Sequence, residues 1–352
     1  MDKNEIILLH GTEYQQMAVH LMRAADLQKD IGDRTQRIGI KPNLVVDAPA
    51  ASGATTHPEL VAGVIEYLQQ EGFQNLVVLE GSWVGARTSA AYVASGLRDV
   101  CERYHVPFID LQKDSSRSCR AYDMDIRVCE QALALDYLIN MPVLKGHCQT
   151  GITCALKNAK GLLPNTEKRR FHSLGLHRPI ANLNTLLPRG IVLVDNICGD
   201  LDFEEGGNPV TMNRIFCCKD PVLCDSFVCQ TMGYRVDEVE YIGLAEQMGV
   251  GCADLAKAKI TRLNESSAAP QHSTRQIRRA GLCVQRLLRL ADLRAAQAGA
   301  GIRPAEPAAE DCNRAGLSGK NGRGRRRTLH LPVPAERFRL PADRRRYLRV
   351  PA

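Results

Sequence analysis

The chain has 352 residues, 44% of them apolar and 24% charged, with a formal net charge of +7. This is enough to bury the core of one large α/β domain or of two ordinary ones. No run of 18 apolar residues predicts a membrane span, and Met1-Asp2-Lys3-Asn4-Glu5 does not open a secretory signal. The 13 cysteines therefore point to a reducing cytoplasm, with thiols free or metal-bound, and exclude a secreted disulfide scaffold.

The charge is unevenly spread. Residues 1–264 carry 27 Lys and Arg against 32 Asp and Glu, while residues 265–352 carry 19 against 7. The two regions are read separately: an α/β body over 1–264 and a basic tail over 265–352.

In the body, helical periodicity runs over residues 13–31, with Met17, Leu21, Met22 and Ala25 on one face. A short strand at 38–40 ends in Lys41-Pro42-Asn43. Thr55-Thr56-His57-Pro58-Glu59 starts a helix that runs to about residue 70, with Pro58 in the first turn. A strand over 75–79 ends at Glu80-Gly81-Ser82, a helix spans 88–104, and a strand spans 106–111. Further strands at 137–143 and 191–194 end at Lys145-Gly146-His147 and Asp195-Asn196, and Cys217 and Cys218 lie on a strand over 215–218. Aliphatic strands alternating with helices predict an α/β fold, a mostly parallel sheet with helices on both faces, followed by a disordered basic tail.

Polar residues recur just after these strands: Lys41 and Asn43, Glu80 and Ser82, Lys145 and His147, Asp195 and Asp200. Open α/β sheets bind ligands at that edge. From Gly151 the chain is expected to enter a helix, with Thr150 and Thr153 in a first turn that favours an anion and with Lys157 and Lys160 on one face. No Walker A loop or dinucleotide fingerprint is present. The candidate catalytic residues are Lys145, His147 as acid or base, and Asp195 as its orienter or a metal ligand. The candidate substrate-binding residues are Lys41, Asn43, Ser82, Thr153, Lys157 and Asn158. His147, His172 and His177 with Asp195 could alternatively hold a metal, although their spacing matches no zinc motif. Most body cysteines read as small buried apolar residues. Cys217, Cys218, Cys224 and Cys229 are the alternative cluster ligands.

Five ordered blocks resemble those of the domain of unknown function 362 family. They are Lys41-Pro42-Asn43, Thr55-Thr56-His57-Pro58, Pro142 to His147, Ala155 to Gly161, and Asp220 to Asp225. The resemblance covers about residues 36–250. It implies a cytoplasmic, often anaerobic protein associated with an iron–sulfur cluster, commonly a 4Fe-4S module in a Cys-rich C-terminus, and it supplies no catalytic mechanism.

The tail holds 18 Arg and a single Lys, with Cys283 and Cys312 as its only thiols. It reads either as a disordered basic arm or as a frameshifted translation of GC-rich DNA. Residues 339–345 can be encoded so that a shift of one nucleotide gives Gly-Cys-Pro-Pro-Thr-Ala. Residues 282–295 and 327–331 permit further Cys-containing strings in the same order. A frameshift between about Arg262 and Arg279 is the preferred reading. It would leave the iron–sulfur cluster of intact relatives absent from this chain as encoded, because a cluster typically takes four thiolates.

Three functions follow. The first is an enzyme acting on a small anionic substrate, linked in intact relatives to an iron–sulfur redox module. The second is a non-enzymatic iron–sulfur electron carrier or assembly partner that docks a redox partner protein. The third, which ranks last, is a nucleic-acid binder acting through the basic tail. No membrane association is expected.

Overall fold

The computed structural model describes residues 1–264. The expectations placed on the tail, its disorder and its missing cluster ligands, lie outside the described residues. Twelve strands occur in chain order among them: β1 (Glu5–His10), β2 (Ile38–Lys41), β3 (Leu76–Glu80), β4 (Phe108–Asp110), β5 (Ser116–Arg120), β6 (Asp125–Cys129), β7 (Tyr137–Asn140), β8 (Lys145–His147), β9 (Gly151–Thr153), β10 (Gly190–Asp200), β11 (Pro209–Cys218) and β12 (Lys259–Arg262). Eight of them form one sheet in the order β12-β1-β11-β10-β7-β2-β3-β4. Only β11 runs antiparallel to its neighbours; all the other pairings are parallel. The mostly parallel α/β sheet predicted from the sequence is the observed one, extended by β1 and β12 from outside residues 36–250.

Alternation along the strands divides the core in two. Ile7, Leu9, Ile38, Ile40, Val78, Ile139 and Leu193 pack with the helices Tyr14–Ala24 and Pro58–Gln70. Ile6, Leu8, Val77, Leu79, Leu138, Val192 and Phe216 face the opposite core, covered by the helices His177–Asn184, Pro221–Thr231 and Glu240–Gln247. Both faces are therefore closed by helices, as the near-continuous aliphatic strands require.

The helix expected over 13–31 is broken into Tyr14–Ala24 and Leu27–Ile31 by Asp26 in the left-handed region, at φ 54°. Gly96, at φ 79°, splits the helix expected over 88–104 in the same way. The helix starting at Pro58 and ending at Gln70 forms as predicted. The helix expected from Gly151 does not. Residues 145–153 form a hairpin of β8 and β9, and the helix begins only at Ala155. No described helix is long and apolar enough to cross a membrane.

Candidate functional site

Parallel strands that stop at one edge leave their last residues facing a common space. β2 delivers Lys41, β3 delivers Glu80, and β7 delivers Asn140. Lys41 and Glu80 are buried and form an ion pair of 2.6 Å, and Glu80 also accepts the Gly81 backbone N–H at 2.8 Å. Burial pushes the Lys41 ammonium below its ordinary pKa, against the pull of Glu80. A side chain at position 161 would collide with this pair. The Cβ of any residue there would lie 1.8 Å from a Glu80 carboxylate oxygen, so Gly161 lets the chain after the short helix Ala155–Asn158 close over the ion pair.

Beside this pair lies a cavity of about 70 Å³, lined among others by Asn43, Ser82, Lys145, Thr153, Lys157 and Asn158. Six of the nine candidates, read from four separate stretches of sequence, thus line it, while Lys41, His147 and Asp195 do not. The volume is well below the roughly 300–1,000 Å³ typical of sites that enclose a drug-sized ligand, so the cavity suits a small molecule or the head of one. The Ser82 and Thr153 hydroxyls are buried and have no hydrogen-bond partner. Buried polar groups are ordinarily satisfied, so the two orphans leave this small cavity with unspent hydrogen-bonding capacity.

The cations around the cavity are held in different ways. The fully buried Lys145 ammonium donates to Asn43 Oδ1 at 2.9 Å, the Ala54 carbonyl at 2.6 Å and the Glu204 carbonyl at 2.7 Å. Burial pushes its pKa down to about 7, with Lys157 adding to the effect, while the three acceptors fit the protonated form. Asn43 passes the contact on. Its amide donates to Asn158 Oδ1 at 2.7 Å, and the Asn158 amide donates to Asn140 Oδ1 at 2.7 Å. Asn43 and Asn158 therefore position Lys145. Lys168, from the helix Asn165–Ser173, donates to the Gly81 and Ser82 carbonyls at 2.7 and 2.9 Å, and burial lowers its pKa to about 8.

His147 differs from its expected role. Its Nδ1 accepts the backbone N–H groups of Gln149 and Thr150 at 3.2 and 3.1 Å. The proton must then sit on Nε2, which lies 3.1 Å from Glu204 Oε1. Burial, reinforced by the charge of Lys157, pushes the His147 pKa down to about 4. A neutral imidazole that points N–H at an anion is a hydrogen-bond donor at neutral pH, not an acid–base group. Nor is Asp195 its orienter. Asp195 Oδ2 instead takes the His57 backbone N–H at 2.7 Å and lies 2.8 Å from His57 Nδ1, and Oδ1 takes the Ile197 N–H.

The alternative metal set of three histidines and Asp195 also fails to gather. His147 contacts Glu204, Lys160 contacts His172, His177 accepts the Tyr241 N–H, and Asp195 holds His57. Thr150 and Thr153 do not open a helix, and the helix that does form is already capped. The Ala155 and Leu156 N–H groups donate to the buried Asp225 carboxylate at 2.7 and 3.1 Å.

Eight of the 11 described cysteines are buried, as small apolar residues are. Cys217 and Cys218 are neighbours on β11 and face opposite cores. The one metal-capable grouping among the described residues joins Cys154, Cys224 and Asp225, which supplies two thiols.

Glu204 and Lys168 escaped the sequence reading. Glu204-Glu205-Gly206-Gly207 has the composition of a solvated turn, and Lys168 sits in the charged run Glu167-Lys168-Arg169-Arg170, which reads as an exposed face. Only docking of these segments buries Lys168 and brings the Glu204 carboxylate onto Lys157.

The stretch that carries this site, residues 38–230, matches the family model described as a domain of unknown function, DUF362. The chain belongs to the DUF362 family. Over 136 residues it is 26% identical to the thylakoid-associated protein sll1697 of Synechocystis sp., a match covering 39% of this DUF362 chain and 42% of that protein. The alignment thus spans less than half of that relative's length. Among solved structures, the lactate racemase apoprotein of Thermoanaerobacterium thermosaccharolyticum is similar at a TM-score of 0.44 and 12% identity, over 64% of this chain and 56% of the other. A Thermotoga maritima protein is similar at 0.41 and 13%, over 68% and 60%.

Proposed function

We propose that this DUF362 chain is an enzyme that binds a small anionic substrate in the cavity beside β2 and β3 and moves a proton at it. The observation that carries the reading is the pair of buried, unpartnered hydroxyls of Ser82 and Thr153 in a cavity ringed by Lys145, Lys157 and Lys168. The lysines supply the charge an anion needs, and the hydroxyls supply donors that fix its orientation. Lys145, with a pKa pushed down to about 7, exchanges its proton near neutral pH, where general acid–base groups work best. Lys41 and Glu80 form a closed pair beneath the site and hold its floor.

The reading is tested by thermal unfolding of the full chain with inorganic phosphate, sulfate or acetate. A ligand that binds only the folded state raises the Tm. An increase in the wild type that is lost in Lys145→Met and reduced in Ser82→Ala is the expected result. Equal increases in all three proteins would move the anion elsewhere and overturn the assignment.

The iron–sulfur module of intact relatives is a separate part of the proposal. The four body cysteines considered as ligands are divided between two cores, Cys217 in one and Cys218, Cys224 and Cys229 in the other, so we place the ligands in the Cys-rich end hidden in the shifted reading frame of the tail. The nucleotide sequence of codons 262–280 tests that origin directly.

A further inference from the structure

Between β10 and β11 the chain makes a loop whose shape does not depend on the Glu204 side chain, although the Glu204 backbone carbonyl accepts from Lys145 at 2.7 Å. The buried Asp200 carboxylate takes the N–H groups of Asp202 and Phe203 on one oxygen, both at 2.9 Å, and that of Asn208 on the other at 2.8 Å. The Gly207 N–H donates to the Ser52 carbonyl at 3.2 Å. The frame of the loop is therefore set by its ends. Its tip carries Glu204, followed shortly by Gly206 and Gly207 at φ 79° and 122°. Both are left-handed or strained for other residues, which gives the tip a joint that glycine alone tolerates well.

The Glu204 carboxylate has one donor on each oxygen: Lys157 Nζ at 2.5 Å on Oε2 and His147 Nε2 at 3.1 Å on Oε1. These two donors come from β8 and from the helix Ala155–Asn158, elements unrelated to the loop. Lys157, whose side chain is 7% exposed, faces this carboxylate from the wall that also holds the unpartnered Thr153 hydroxyl. The Glu204 side chain is 18% exposed, so its carboxylate enters from the solvent side and can rotate out while its carbonyl stays on Lys145. A two-oxygen anion taking one donor per oxygen has the geometry of a carboxylate. A tetrahedral phosphate would have to draw donors for its remaining oxygens from outside this pair, on the Ser82 and Thr153 side of the cavity.

We propose that Lys157 and His147 form a carboxylate subsite beside the cavity, that Glu204 fills it when no ligand is bound, and that a small carboxylate-bearing substrate takes its place as the Glu204 side chain swings aside. This inference rests on the anion-site reading above and names its substrate class. An internal carboxylate in the site lowers the apparent affinity for an external one by the fraction of molecules in which the site is filled. Removing that carboxylate should therefore tighten binding of carboxylates and leave Lys145 and the hydroxyls in place.

Trp83 is the single tryptophan of the chain and lines the cavity, so its fluorescence reports the site. The experiment titrates acetate and inorganic phosphate into the wild type, Glu204→Gln and Glu204→Ala, with urea unfolding as a check that each variant is folded. The expected result is acetate binding about tenfold tighter or more in both variants than in the wild type, abolished again when Lys157→Met is added. Phosphate should gain less than acetate. Equal acetate affinity in the wild type and both variants would overturn the role of Glu204 and leave the anion site standing. A gain for phosphate larger than for acetate would overturn the carboxylate class. No fluorescence response to either anion in any protein would overturn the anion site itself.

Discussion

His57 with Asp195 and His147 with Glu204 are chemically the same pair, at 2.8 and 3.1 Å, on the carboxyl side of the same sheet. Their surroundings make them opposites. Burial lowers the His57 pKa, but the charge and hydrogen bond of Asp195 outweigh it, and the net shift is upward. His147 meets the same burial and a carboxylate too, yet Lys157 stands beside it and its pKa falls to about 4. The carboxylates differ as well. Asp195 lies within β10, wholly buried, with donors on both oxygens. Glu204 rides on a loop tip. A histidine–carboxylate pair therefore has no fixed meaning. One here is structural glue between a strand and a helix start, and the other is a cation pocket stoppered by a movable anion.

The largest expected effect separates the two carboxylates by stability. Asp195→Ala leaves the His57 backbone N–H, the His57 ring and the Ile197 N–H without their acceptor in a buried place. Breaking a buried charged pair from one side costs about 3–5 kcal/mol. Glu204→Ala, at a partly exposed tip where water can reach the released Lys157 and His147, should cost clearly less than that. Urea unfolding of the two variants measures the contrast, and equal losses would erase the distinction between glue and stopper.

A second test uses pH. Because the folded-state pKa of His57 is raised above its ordinary value of 6.5, its pairing stabilises the fold fully below that value and loses this contribution as pH rises through the folded pKa. His57→Gln should therefore destabilise the protein more at pH 6 than at alkaline pH. His147 is shifted the other way. Its protonation disfavours the folded state as pH falls from 6.5 towards about 4, so wild-type stability should decline over that window. A destabilisation by His57→Gln that is constant with pH would show that Asp195 holds a neutral ring.

The finest test reads the His147 ring directly. Nitrogen chemical shifts should show a neutral ring with the proton on Nε2 across pH 5–8. Lys157→Met removes the neighbouring charge that helps hold the pKa down, so the midpoint should move up towards 6.5. An unchanged midpoint would assign the depression to burial alone.

The sequence by itself determined the layered α/β architecture. Continuous aliphatic runs such as Leu76 to Leu79, bounded by turn residues, read as strands buried on both faces, and Pro58 after Thr55-Thr56-His57 reads as a helix start. Residues that end parallel strands must share an edge, and Asn43, Ser82, Lys145, Thr153, Lys157 and Asn158 line one cavity there, with Lys41 paired to Glu80 beside it. The sequence could not pair the side chains. Asp195 follows a strand as Lys145 and His147 do, but β10 runs on to Asp200, and the register of Val143 against Asp195 turns that carboxylate to His57. Gly151 looked like a helix start because local composition does not reveal that β8 and β9 pair and that Asp225, 70 residues on, caps the helix at Ala155. Glu204 and Lys168 sit in charged stretches whose local pattern is that of solvated surface. The burial of Lys168 and the pairing of Glu204 with Lys157 are properties of what docks against them, and only the tertiary structure contains that information.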